Sequence, residues 1–188
     1  MPTTAQADAL AELLATRTPI VVVESHDERR ITALVSLLAQ RDKREVWQWS
    51  ASRGLRVAHN LRLALTEMGS GAPGADAAAT RELPAALAAV EQLKGDALVL
   101  LLDVHPFLSN PVVIRALKEL ALHTESRGLQ LMFTGHDIQL PGELAPYASR
   151  FMLEPMTLGR IKTLFSEELQ TRRLRSGGDL VGERATLD

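Results

Sequence analysis

The chain has 188 residues, 46% of them hydrophobic and 23% charged, so it is long enough to bury a core without a metal or disulfide staple. It contains no cysteine, which excludes a disulfide framework and a thiol nucleophile. With a formal net charge of -2, no long basic run and only strand-sized apolar runs, composition disfavours nucleic acid and membranes as partners and points to a cytoplasmic protein.

Ala7 to Ala15, with Leu10, Leu14 and several alanines, predicts a short helix within a leader of residues 1–18. Pro19 then introduces a first strand over Ile20 to Val23. Ser25 followed by Glu28 has the spacing of a capping box, and Asp27 competes as the cap of a helix whose buried face is Ile31, Leu34, Val35 and Leu38. The charged turn Arg41 to Arg44 ends that helix. Val46 to Trp49 forms a second strand, with Trp47 and Trp49 on one face, and Arg53 and Arg56 follow in a loop around Gly54.

Residues 69–80, rich in Gly and Ala, carry no periodic core face and read as a flexible insertion. Pro84 suits a first helical turn, followed by Leu87, Val90 and Leu93. Ala97 to Leu102 is continuously apolar, the pattern of a strand buried on both faces. Asn110 and Pro111 start another helix, Gly128 stops it, and Leu129 to Phe133 forms the next strand. Pro141 to Ala148 reads as a short helix, Phe151 to Leu153 as a short last strand, and Thr157 as the cap of a final helix through Phe165. Residues 171–188 form a linker or tail. The alternation of strands and helices predicts an α/β domain over residues 19–170, with three layers around a mainly parallel sheet.

The junction after the first strand is the most informative segment. A phosphate-binding loop needs G-x-x-x-x-G-K-[ST] there, because backbone N–H groups and a lysine must surround the phosphates. This chain reads Glu24-Ser25-His26-Asp27-Glu28-Arg29-Arg30-Ile31. Its acids repel phosphate unless a cation neutralises them. Arg29 and Arg30 are the local candidates for that neutralisation.

Ligands of parallel α/β domains collect beyond the carboxyl ends of strands, which singles out Asp103, His105 and Thr134. Asp103 stands where a carboxylate holds magnesium or caps a turn. His105 either fixes that turn through a hydrogen bond or joins His26 in a metal or acid–base site. Thr134 senses a terminal phosphate or ends its strand. Metal-ligand spacing and a nucleophile elbow are both missing, so no catalytic residue and no metal ligand is assigned. Trp47, Trp49 and Arg53 either pack at the core edge or anchor a protein interface.

Val46-Trp47-Gln48-Trp49-Ser50, Gly54-Leu55, Leu101-Leu102-Asp103-Val104-His105-Pro106-Phe107-Leu108 and Pro111 to Leu117 together resemble the amino-terminal part of AAA+ ATPases related to the hypothetical chloroplast open-reading-frame ATPase. Leu140 to Leu144 and Leu153 to Met156 extend the likeness, which runs from about Pro19 to Phe165. The resemblance implies a phosphate-loop NTPase or AAA+ core with degenerate nucleotide motifs, attached to a complete AAA+ module. It places Asp103 at the first magnesium-associated acid, Thr134 at the sensor position, and Arg150 where an arginine reaches a neighbouring subunit's nucleotide. It also implies a non-catalytic role in assembly, regulation or protein recruitment, with homo-oligomerisation through the parent. No cofactor is expected for the isolated domain; ATP and Mg belong to the full-length parent. The alternatives are a nucleotide-binding ATPase domain with an atypical or subunit-shared site, and a phosphoacceptor-like signalling domain.

Overall fold

The computed structural model describes residues 4–58, 78–124, 128–153 and 159. The chain divides into two compact units, Met1–Leu153 and Glu154–Asp188, and the elements below belong to the first. Residues 69–77 of the expected insertion, the helix headed by Thr157 and the tail 171–188 lie outside the described residues.

Helix α1 spans Thr4–Ala15, strand β1 Ile20–Glu24 and helix α2 Glu28–Arg41. Strands β2 (Glu45–Ser50) and β3 (Gly54–Val57) follow, then helix α3 (Leu83–Glu91) and strand β4 (Ala97–Leu102). Helix α4 covers Pro111–Leu122, strand β5 Leu129–Gly135 and strand β6 Ala148–Met152. They build one six-stranded sheet in the order β3-β2-β4-β5-β1-β6, in which only β3 runs antiparallel.

The two-residue period of the strands sorts their side chains into two cores. Ile20 and Val22 of β1, Val99 and Leu101 of β4, and Leu131 and Phe133 of β5 face α3 and α4, where Leu87 and Leu117 are buried. Val21, Val23, Leu98, Leu100 and Met132 face the other way, against Leu10 and Leu14 of α1 and Ile31, Leu34, Val35 and Leu38 of α2. Because β4 is covered on both faces, all six of its residues are buried, as a continuous apolar run requires.

Three expectations are corrected. Arg53 to Val57 does not remain a loop: Gly54, at φ 68°, closes a three-residue turn, Arg53 N donates to Ser50 O, and β3 pairs with β2 from Ser50 opposite Gly54 to Trp47 opposite Val57. A glycine in the left-handed region is what such a turn demands. Pro141 to Ala148 forms only a single 3-10 turn at Ala145–Tyr147 before the chain extends, so β6 begins at Ala148 rather than Phe151. Proline at 146, lacking an N–H, helps keep that turn short.

At the amino-terminal edge of the sheet, Asp96 receives two hydrogen bonds from Arg17, 2.9 and 2.7 Å, and an ion pair from the buried Arg44. Arg44 also donates to Gln130 and to the Ala97 carbonyl. The hydrogen bonds from Arg17 pull the Asp96 carboxyl below its usual range, whereas burial lowers Arg44. This cluster ties together the segments that precede β1, β2 and β4, at the end of the sheet opposite the candidate site.

Candidate functional site

The carboxyl ends of β1, β4 and β5 meet the start of α2 around a cleft of about 240 Å³. Ser25, His26, Glu28 and Ile31 line it from the β1–α2 side. Asp103 lines it beyond β4, and Thr134, Gly135 and His136 line it from β5. The strand order places β1 beside β5, while the helix after β1 crosses back to β2. Such a reversal opens a crevice in a parallel sheet, so topology alone puts the cleft where ligands of this architecture bind.

The β1–α2 connection is only Ser25, His26 and Asp27. Its polar groups are turned inward on the chain itself. Ser25 N donates to Gly135 O at 3.1 Å, and the Ser25 hydroxyl accepts from Asp27 N at 3.0 Å. Asp27, and not a Ser25–Glu28 capping box, caps α2: its carboxylate accepts from Arg30 N at 3.0 Å. A helix amino terminus is the ready-made seat for a phosphate. Here a side-chain carboxylate fills it, and Glu28 adds negative charge in the first turn.

Neutralisation of the first acid comes from far along the sequence rather than from Arg29 or Arg30. Arg150 on β6 pairs with Glu24 and donates to the Ile138 carbonyl at 2.8 Å, so it stitches β6, the end of β1 and the loop after β5. Arg150, the residue expected to reach a neighbouring subunit's nucleotide, is thus engaged within its own chain. Arg30 instead extends to Gln6 of α1. Burial lowers the Arg56 guanidinium, with Arg53 acting in the same sense and Glu28 opposing.

Asp103 adopts φ 50°, a left-handed conformation that aspartate tolerates better than most residues. Its N–H continues the β4–β5 ladder to Thr134 O at 2.8 Å, and its side chain is exposed at the mouth of the cleft. A methyl group on Gly135 would stand 3.3 Å from His105 Nδ1 and 3.4 Å from Asp103 Oδ1. The missing side chain at 135 therefore lets both residues close over β5. His26, the alternative partner weighed for His105, has its ring against His136, centroids 4.2 Å apart. Among the described residues, no group of three His, Asp or Glu side chains is placed to hold a metal.

Thr134 is buried at 3% exposure yet lines the cleft, so the positional candidate does face the site. Trp47 and Trp49 do not face a partner. They are 1% and 0% exposed, with indole N–H groups donating to Glu45 Oε2 and to the Thr80 carbonyl. Both belong to the core over α3 and α4, because alternate residues of β2 point there; Arg53 alone of that trio is exposed. His136 was the site residue least readable as such, and its position three residues past Phe133, the last apolar residue of β5, was the available signal.

A family model described as "SpoVK-like AAA ATPase, N-terminal domain" matches residues 6–152. The chain belongs to that family. No curated protein matches the sequence. Among solved structures, this SpoVK-like N-terminal domain is similar to a chain of the E. coli MS115-1 HORMA:CdnC:Trip13 complex, with a TM-score of 0.53 at 12% identity over 88% of this chain and 67% of that one. The Aeropyrum pernix ORC1 protein in complex with DNA gives 0.50 at 15% identity, over 91% and 50% of the two chains. Drosophila ORC bound to DNA gives 0.52 at 12% identity, over 89% and 47%. The chain thus spans about half the length of both ORC chains. The likeness shows the fold alone, a mainly parallel α/β core resembling that of P-loop NTPases and AAA+ proteins.

Two of those three relatives are DNA complexes, which overturns the expectation that nucleic acid is disfavoured as a partner. That expectation rested on net charge. Net charge averages over a whole surface, whereas contact with phosphate depends on where individual cations sit.

Proposed function

We propose that this SpoVK-like N-terminal domain is a non-catalytic ATPase-like module with a degenerate phosphate-binding motif, serving assembly, regulation or protein recruitment for an attached AAA+ ATPase. The observation that carries this reading is the Asp27 carboxylate on Arg30 N, at the α2 terminus where phosphate would sit. A three-residue connection leaves too few backbone N–H groups to wrap a triphosphate. Glu28 and Asp103 add negative charge at the same cleft, and like charges there oppose a nucleotide's phosphates. The sheet, both cores and the cleft persist without that chemistry, which favours a scaffolding role over turnover.

Phosphate release by the purified chain, measured alone and after mixing with a SpoVK-type AAA+ module, tests the reading. The chain alone releases no phosphate above the buffer blank, while it changes the turnover or the oligomer size of the module. Turnover by the chain alone, or no effect of any kind on the module, contradicts the proposal.

A further inference from the structure

We propose that the cleft at the carboxyl ends of β1, β4 and β5 receives the guanidinium or ammonium group of an arginine or lysine side chain presented by a protein partner. The inference rests on the reading that nucleotide is not the ligand of this site, and it names what takes the nucleotide's place.

Two carboxylates at the cleft, Asp103 and Glu28, form no hydrogen bond or ion pair among the described residues, and Asp27 adds a third negative charge beside them. They attract a cation as strongly as they repel phosphate. A second observation is independent of the acids. Thr134 is 97% buried, lines the cleft, and its hydroxyl has no hydrogen-bond partner among the described residues. A hydroxyl that opens on the cleft without a protein partner is free to accept from a donor placed there, and ammonium and guanidinium groups carry three and five N–H donors. The His26 and His136 rings, 4.2 Å apart, add flat imidazole faces on which a guanidinium can lie.

Size and ligand type narrow the choice. About 240 Å³ falls below the roughly 300–1,000 Å³ of ordinary small-molecule pockets, so one side chain suits the cleft better than a whole nucleotide. The described residues offer no three-ligand set for a metal ion, which favours an organic cation.

The test uses the full chain, isotope-labelled for NMR. It is titrated with the peptide acetyl-Gly-Gly-Arg-Gly-Gly-amide, its lysine counterpart, and the citrulline peptide that keeps the shape but loses the charge. The expected result is saturable shifts centred on Asp103, Thr134 and Gly135 with arginine and lysine, and binding about tenfold weaker with citrulline. Asp103→Asn and Thr134→Val each weaken the arginine peptide, while Glu143→Gln, exposed and outside the cleft, leaves it unchanged. Equal response to citrulline, shifts centred elsewhere, or indifference to Asp103→Asn overturns the inference. A separate MgATP titration keeps the two readings apart. Saturable nucleotide binding sinks the pseudo-ATPase reading, whereas silence toward both ATP and arginine sinks only the present one.

Discussion

The carboxylate of Asp27 caps α2 by accepting a hydrogen bond from Arg30 N at 3.0 Å, which gives one residue two consequences: it stabilises the helix and occupies an anion site. Asp27→Ala should cost about 1 kcal/mol, the usual value of an N-cap. Urea denaturation read through Trp47 and Trp49, the two tryptophans of the chain and both buried, measures it. The variant should not gain nucleotide affinity, because removing one carboxylate does not lengthen the three-residue connection. A clear ATP response in Asp27→Ala would show that the carboxylate alone was the barrier.

Thr80 holds the β2–β3 edge by two bonds: its hydroxyl accepts from Leu55 N at 2.9 Å, and its carbonyl accepts from Trp49 Nε1 at 2.8 Å. Thr80→Val keeps the shape and leaves the buried Leu55 N–H unsatisfied, so a loss of about 1–3 kcal/mol is expected. The tryptophan emission should also shift to the red in the native baseline. An unchanged denaturation midpoint would show that water replaces the hydroxyl without cost.

Asp96 contributes a pH dependence to stability at the acid end. Its carboxyl is held below the ordinary range by Arg17, so the stability it contributes is complete above its unfolded value near 3.8 and is lost as pH falls through the lower folded value. Asp96→Asn should destabilise at neutral pH by about 2 kcal/mol, since it strips the buried Arg44 of its counter-charge. The same variant should flatten the stability profile below about pH 4. Thermal unfolding across pH 2.5 to 7, in steps of roughly half a unit, compares the two curves; parallel curves would remove Asp96 from the account.

Gly135 gives Asp103 and His105 room to lie over β5. Gly135→Ala meets them at 3.3 and 3.4 Å, a distance at which the neighbours shift slightly. The fold should survive with a loss near 1 kcal/mol, while NMR shifts of Asp103 and His105 move far more than those at the Arg17–Asp96 end of the sheet. Uniform perturbation across both ends would argue against a local role.

The fold was legible in proportion to how strongly each segment buried itself. Ala97 to Leu102 announced a central strand because nothing polar interrupts it, and Asn110-Pro111 announced the start of α4, where Asn110 does accept from Val112 N. The edge was harder. In β3 only Leu55 is a fully buried side chain, and Arg56 breaks the pattern, so a hairpin that hangs on the φ of Gly54 passed for a loop. The site was half legible: strand ends located Asp103 and Thr134, since topology sends them to the same crevice. What could not be read were pairings across the sheet. Arg150 reaches Glu24 across 126 residues, and His26 meets His136, because adjacency of β1 to β5 and β6 is a property of sheet order that no local pattern encodes. The tryptophans misled for a related reason: aromatic character beside arginines suits an interface as well as a core, and only the layer packed over β2 decides between them.

Calorimetric titration of the chain with MgATP at millimolar concentration, paired with amide NMR of Ser25 to Ile31, tests the central claim most directly. The account predicts no saturable heat and unmoved amides at the α2 terminus, where Asp27 already sits. Stoichiometric binding with shifts concentrated at Asp27 to Arg30 would contradict it.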